Sequence, residues 1–248
     1  MRLYSDYPGA SISMAASPKL RQLLENTFRQ EKITHVIETG TYQGLGSTTL
    51  IAESFPENSP PQIFLSIEIN WDSWCHAKRN LRRFPFVTPV WGRTVPVQQA
   101  LEFIETDGTL RDHHEYPDIF IDDTRDPIQF YRNELLGHLG ETRPEPINRL
   151  CKIRDRMLYY GGDNLLEKYL GKFCSNNPLI ALDSAGAIGF LEFSVVEQVM
   201  RPYSYLLLLD DIHHLKHFRS LRHVERDRGF QILEVDKNEG WLLAKHMP

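Results

Sequence analysis

The residues best suited to chemistry sit just after short apolar runs. Thr34 to Ile37 leads into Glu38-Thr39-Gly40-Thr41-Tyr42-Gln43-Gly44-Leu45-Gly46-Ser47, an acid and three glycines before a helical pattern. Glycine lacks a Cβ and tolerates positive φ, so such a loop turns tightly and brings its backbone close to a ligand. The order strand, glycine turn, helix builds a nucleotide-type site at a strand's carboxyl end. Glu68 ends a second apolar run, Asp183 another and Asp210-Asp211 a further one. In a parallel sheet these ends share one edge, so the acids converge on one crevice. A carboxylate after the second strand is placed to accept two hydrogen bonds from a ribose diol. The later acids lie too far along the sheet for that ribose and suit a metal or a substrate. Carboxylates gathered in one crevice repel one another and need a cation, a proton or hydrogen-bond donors. The plain alternative is that Asp183 and Asp210 only cap the helices after them.

The elements that must position these residues follow from periodicity and punctuation. After a polar, turn-rich lead-in, Ser17-Pro18 opens a helix, and Leu20, Leu23, Leu24 and Phe28 recur at helical spacing over 18–30. The spacing then predicts a strand at about 33–38, a helix over 47–54 ended by Pro56, Pro60 and Pro61, and a strand over 63–69. A helix over 71–84, a strand at 87–91 and a helix at 97–104 continue the alternation, which predicts a doubly wound parallel sheet. The rhythm is obscured between about 105 and 177. There we expect a strand within Pro117–Asp123, a Pro-rich linker at 143–147, a helical stretch at 148–160, and Asp163 capping a helix over 164–173. This region reads as a helical insertion over the ligand edge, acting either as a lid or as a structural or dimerisation insert. A strand ending at Asp183, a helix over 189–200, a strand ending at Asp210-Asp211 and a helix to about Glu225 restore the pattern. The tail forms two antiparallel strands joined by a turn at 236–239. The fold class is α/β, with residues 1–32 as lead-in and helix and 33–248 as one domain carrying the insertion.

Bulk properties bound the function. The chain has 248 residues and a net charge of −5, so no global basic field argues for nucleic acid. The most continuous apolar run, Tyr205 to Leu209, is too short to cross a bilayer, and the first residues do not read as a signal peptide. Cys75, Cys151 and Cys174 form no CxxC pair, which suits reduced thiols in a cytoplasmic protein. Lys78, Arg79, Arg82 and Arg83 read as a solvated helix face rather than a nucleic-acid patch. His213 and His217 have a zinc-compatible i, i+4 spacing but no evident third ligand. Tyr159, Tyr160 and Tyr169 either wall a pocket or pack the insert onto the sheet.

Val36 to Ser47 resembles motif I of class I S-adenosylmethionine (SAM)-dependent methyltransferases, in the form E-x-G-x-x-x-G-x-S. Ser66-Ile67-Glu68-Ile69 resembles their strand-two acid, and Trp91-Gly92-Arg93-Thr94 falls where they place an adenine-side loop, though an acid is more usual there. The resemblance covers about 33–104 and 178–246 and implies a Rossmann-like sheet with an antiparallel last strand. It implies that Glu38, Gly40, Thr41 and Gly44 line the methionine end of the cofactor, with Thr39, Tyr42 and Asp183 beside them. Glu68 would take the ribose, Ile69 would pack on adenine and Arg93 would lie near it. The later acids resemble those of the metal-dependent O-methyltransferases that tailor macrolides and cephalosporins. That likeness implies Mg²⁺ held by Asp183, Asp210 and Asp211, lowering the pKa of a substrate hydroxyl. His213 or His214 would then act as general base, since an imidazole titrates near neutrality. The expected partner is a small hydroxylated metabolite, with no nucleic acid and no membrane. Members of the class often pair, which makes a homodimer an expectation too.

A short-chain dehydrogenase is the main rival, because Thr39 to Gly46 fits T-G-x-x-x-G-x-G and Ser184-Ala185-Gly186 faintly resembles a later motif. Against it, no Tyr-x-x-x-Lys pair is present, the SAG stretch comes too late, and Glu38 would face a pyrophosphate with like charge. A sulfonium is cationic, so the acid favours it. A non-catalytic binding protein on the same fold is the other reading.

Overall fold

The computed structural model describes residues 2–3, 14–122, 124–138, 146–147, 149–150, 153 and 162–248. Its strands are β1 (Arg2–Leu3), β2 (His35–Thr39), β3 (Ile63–Glu68), β4 (Val87–Trp91), β5 (Phe120–Ile121), β6 (Leu179–Leu182), β7 (Tyr205–Leu209), β8 (Phe230–Asp236) and β9 (Trp241–His246). The α-helices are α1 (Pro18–Gln30), α2 (Ser47–Ser54), α3 (Trp71–Asn80), α4 (Val97–Thr106), α5 (Gly108–Arg111), α6 (Pro127–His138), α7 (Leu165–Phe173), α8 (Gly189–Met200) and α9 (Phe218–Arg226).

Seven strands make one sheet in the order β4-β3-β2-β6-β7-β9-β8. Neighbours from β4 through β7 pair in parallel, while β9 runs antiparallel to both β7 and β8. The expected doubly wound sheet with an antiparallel end is therefore the observed one. The sequences Leu-Ile-Ala-Leu and Tyr-Leu-Leu-Leu-Leu of β6 and β7 are buried along their whole length, because helices cover both faces. Alternate residues serve alternate faces: Ile37, Ile180 and Leu207 pack with α7 and α8. On the other face, Val36, Leu179 and Leu206 pack with α1 and α2. The chain leaves β2 for β3 and β4 on one side and returns to β6 on the other. The crevice beyond the β2 and β6 carboxyl ends is thus a topological switch point, where such sheets bind ligands.

Helix α1 starts as its sequence implies. Ser17 Oγ accepts from Leu20 N at 3.1 Å, and Pro18 fills the first turn without wasting an N–H. Losing that cap costs about 1 kcal/mol. The insertion departs from expectation in detail. Among the described residues of Pro117–Asp123 only Phe120–Ile121 is a strand, and it pairs with Arg2–Leu3 outside the main sheet. The reason lies in its partners: Phe120 N donates to His213 O and Leu215 N donates to Phe120 O, tying this segment to the loop after β7. Helix α7 takes Asn164, in a left-handed conformation, as its N-cap residue in place of Asp163. The linker at 143–145 and most of the stretch 148–160, with Cys151, Tyr159 and Tyr160, lie outside the described residues; residues 147, 149, 150 and 153 are helical. None of the described helices is long and apolar enough to cross a membrane.

Candidate active site at the carboxyl edge of the sheet

The loop after β2 is set by close approaches. Gly40 has φ +85°, and a Cβ there would lie 2.2 Å from the Asp183 backbone oxygen, so only glycine lets β2 meet the end of β6. Tyr42 also adopts positive φ and is largely exposed beside the cavity described below. Behind the loop, Glu38 is fully buried and its Oε2 accepts from Thr48 Oγ1 at 2.6 Å and Ser66 Oγ at 2.5 Å. Thr41 Oγ1 joins the set at 2.6 Å from Ser66 Oγ. Oε1 of Glu38 has no hydrogen-bond partner, and burial pushes the carboxyl pKa up to about 7. A second buried acid, Glu192 of α8, accepts from Thr39 Oγ1 at 3.0 Å and Ser184 Oγ at 2.8 Å. These two acids brace the loop through β2, β3 and α8.

A cavity of about 610 Å³ opens above that frame, from the ends of β2, β3 and β4 to the insertion and the loop after β7. At its β3 end, Glu68 accepts from Tyr42 N at 2.6 Å and Asn70 N at 2.7 Å, and burial raises its pKa to about 7. Arg93 lines the cavity on a loop clamped to the insertion: Arg93 N donates to Gly162 O at 2.7 Å and Leu165 N to Arg93 O at 2.9 Å.

At the other end, carboxylate oxygens of Asp183, Asp210 and Asp211 lie within 4.8 Å of one another. Lys216 is buried beside them, its Nζ 2.6 Å from Asp211 Oδ2 and 3.3 Å from Asp183 Oδ1. Burial works against this ammonium, but Asp211, Asp183 and Asp210 outweigh it and hold its pKa well above the usual lysine value. Burial, with repulsion from Asp183 and Asp211, keeps the Asp210 carboxyl well above the usual range. The oxygens alone would suit a hard divalent cation. A Mg²⁺ ion needs near-octahedral oxygens at about 2.1 Å, and here an ammonium already lies within bonding range of two of the three carboxylates. The donor set with Lys216 in place does not fit a metal.

The insertion supplies a further polar corner. His214 Nε2 is 3.2 Å from Asp122 Oδ2 and 3.3 Å from the Tyr131 hydroxyl, while Nδ1 accepts from Lys216 N at 3.3 Å. Burial pushes Asp122 up, but the His214 hydrogen bond and charge prevail and hold it below the usual carboxylate value. Glu134 Oε2 is buried with no hydrogen-bond partner, and burial raises that carboxyl to about 7.

Of the residues singled out from sequence, Gly40, Tyr42, Glu68, Ile69, Arg93, Asp183, Asp211 and His214 line this cavity. Glu38, Thr39 and Thr41 lie buried behind it, and Gly44, Asp210 and His213 are not in its lining. His213 Nε2 instead meets the Lys237 backbone oxygen at 2.9 Å. His217 is buried against Gly189, its pKa lowered to about 3 by burial, then by Lys216. Sequence reasoning missed Asp122, Tyr131, Glu134 and Lys216 as lining residues, and Glu192 beneath them. Two of these carried a signal. Asp122 ends an apolar run like the other acids, and Lys216 follows Asp210-Asp211 closely in the same loop.

No family model matches the chain, and no curated protein matches it. Among solved structures it is similar to an O-methyltransferase from Bacillus cereus in complex with SAH, at 12% identity and a TM-score of 0.47, over 93% of this chain and 81% of that one. It is likewise similar to the O-methyltransferase TomG from Streptomyces achromogenes in complex with SAM, at 13% identity and a TM-score of 0.48, over 95% and 82%. A methyltransferase from Geobacter sulfurreducens shares 12% identity with a TM-score of 0.49, over 94% and 80%. Likenesses this distant say nothing of the reaction, which must be argued from the cavity.

Proposed function

We propose that the chain is a SAM-dependent methyltransferase that O-methylates a small hydroxylated molecule. The observation that carries this reading is the balance of the cavity lining: five acids (Glu68, Asp122, Glu134, Asp183 and Asp211) against two cations, Arg93 and Lys216, so the lining is negative once Glu68 and Glu134, with pKa values of about 7, ionise. A dinucleotide pyrophosphate would meet like charge there, whereas a sulfonium meets opposite charge. The discriminating charge is that of the lining, since Glu38 is sealed behind the loop and does not face the ligand.

The residues present fit the cofactor. Gly40 lets β2 close onto the end of β6 and lines the cavity there, and Glu68 stands where a strand-two carboxylate meets a ribose diol. Bound SAM would supply a methyl group on sulfur that an oxygen nucleophile can take. Val95, Ala100, Ile104, Leu135, Ala187 and Ile188 form an apolar wall that excludes water from the acceptor half. Glu134 would take the acceptor hydroxyl proton, because it has a free buried oxygen and a pKa near neutrality, the value a general base needs. His214 is better suited to positioning, since both its ring nitrogens are engaged.

Isothermal titration with SAM tests the reading. The wild-type protein should bind, and Glu68→Ala should bind roughly 10- to 100-fold more weakly, as expected for a lost charge-assisted hydrogen bond. Absence of binding by the wild type would overturn the assignment.

A further inference from the structure

We propose that the Lys216 ammonium is the resident cation of the Asp183–Asp210–Asp211 cluster, standing where a divalent metal would otherwise sit. Three oxygens within 4.8 Å of one another make a plausible cation site, and Lys216 Nζ occupies it, in contact with Asp211 and Asp183. The lysine is 5% exposed and comes from the loop that follows Asp210-Asp211, so the fold delivers the charge together with the acids. An incoming divalent ion would have to displace the ammonium or lie a few ångströms from it, and at that range two cations repel strongly in a buried setting. The arrangement resembles a metal site in its acids and differs from one in carrying its own cation.

The ammonium also serves a metal's electrostatic purpose. It lines the cavity, so it places fixed positive charge beside the acceptor half without any ion from solution. That last consequence rests on the methyl-transfer reading, whereas the cation assignment does not. If both hold, SAM binding and turnover proceed in EDTA.

Titration of the full chain with MnCl₂, followed by calorimetry and by the electron paramagnetic resonance of free Mn²⁺, tests the assignment apart from catalysis. We expect the wild type to show no Mn²⁺ binding that Asp211→Asn removes. Lys216→Met, which keeps the chain length without the charge, should gain a site at least about a hundredfold tighter than any in the wild type. Adding Asp211→Asn to Lys216→Met should abolish the gain. Mn²⁺ bound by the wild type and lost in Asp211→Asn would overturn the proposal. So would a folded Lys216→Met protein that gains no site. Binding that Asp211→Asn leaves intact lies outside this cluster and supports the proposal; among the described residues, Glu197, His223 and Asp227 also lie within 4.8 Å of one another. Should Lys216→Met not fold, the wild type and Asp211→Asn decide alone: a shared absence of binding at the cluster supports the proposal. Failure of SAM to bind would leave this result readable.

Discussion

Gly40 and Asp183 meet so closely that a single added carbon on the glycine would lie 2.2 Å from the aspartate's backbone oxygen. This contact joins the glycine loop to the acid cluster across the β2–β6 junction, and Asp183 N donates back to Thr39 O at 3.2 Å. Both halves of the cavity therefore share one rigid seam. Gly40→Ala must relieve a backbone clash and adopt positive φ, so we expect it to destabilise the fold by about 2 kcal/mol or more. It should also abolish SAM binding. Gly171→Ala is the control: it lies inside α7 with open space around it and should stabilise by about 0.5–1 kcal/mol. Urea denaturation measures both. Equal stability of Gly40→Ala and wild type would show that the seam yields.

Burial raises the Glu38 carboxyl from the ordinary 4.5 to about 7. The folded state then binds the proton more tightly than the unfolded chain. Its contribution is fully present below pH 4.5, is lost as pH rises towards 7, and is level above that. The full swing is on the order of 3 kcal/mol. Glu68 and Glu134 are raised in the same direction, so they add slope of the same sign. Replacing Glu38 by Gln should leave a visibly flatter stability profile between pH 5 and 7. Parallel profiles for Glu38→Gln and wild type, in urea melts at several pH values, would contradict the burial argument.

The parts of this site legible in the sequence are those that local pattern encodes. Glu38, Glu68, Asp183 and Asp210-Asp211 each end a run that had to be a buried strand, and parallel topology then brings them to one edge. What the pattern leaves out is side-chain depth. Glu38 and Gly40 are two residues apart, yet the glycine lines the cavity and the acid lies behind it, because Glu38 is still within β2, bonded to Ser66 and Thr48, whereas Gly40 lies past the strand end in a turn with positive φ. Glu192 sits on a helix where an acid suggests solvent, and its burial depends on Thr39 and Ser184, distant strand-end partners. Asp122 reaches the cavity because a two-residue strand pairs with Arg2–Leu3 and leans on the loop after β7. No periodicity within 117–123 announces such long-range contacts.

Glu134 gives a kinetic prediction. As a base with a pKa of about 7, it must be deprotonated to act, so wild-type kcat/KM should rise with pH and level off above 7. Glu134→Gln should lower turnover about 100-fold at pH 7 and remove that rising limb, while SAM affinity stays within a few-fold. The measurement is SAH release across a panel of hydroxylated acceptors. A rising limb that survives in Glu134→Gln would assign the base elsewhere.

Three tryptophans offer a direct optical reporter. Trp71, Trp74 and Trp91 cluster with ring centroids 4.6–6.3 Å apart, and Trp91 Nε1 donates to Ile69 O at 3.0 Å. Ile69 and Asn70 line the cavity where the cofactor's base is expected, so a ligand there shifts the backbone that Trp91 holds. The fourth tryptophan, Trp241, is fully buried between β7 and β8 on the far side of the sheet and supplies a constant background. SAH should therefore change the intrinsic fluorescence saturably, and Trp91→Phe should remove most of the change without altering the affinity found by calorimetry. A saturable signal retained in full by Trp91→Phe would place the ligand away from Ile69. Calorimetric binding with no fluorescence change in the wild type would do the same, and would move the adenine subsite off the β3 edge.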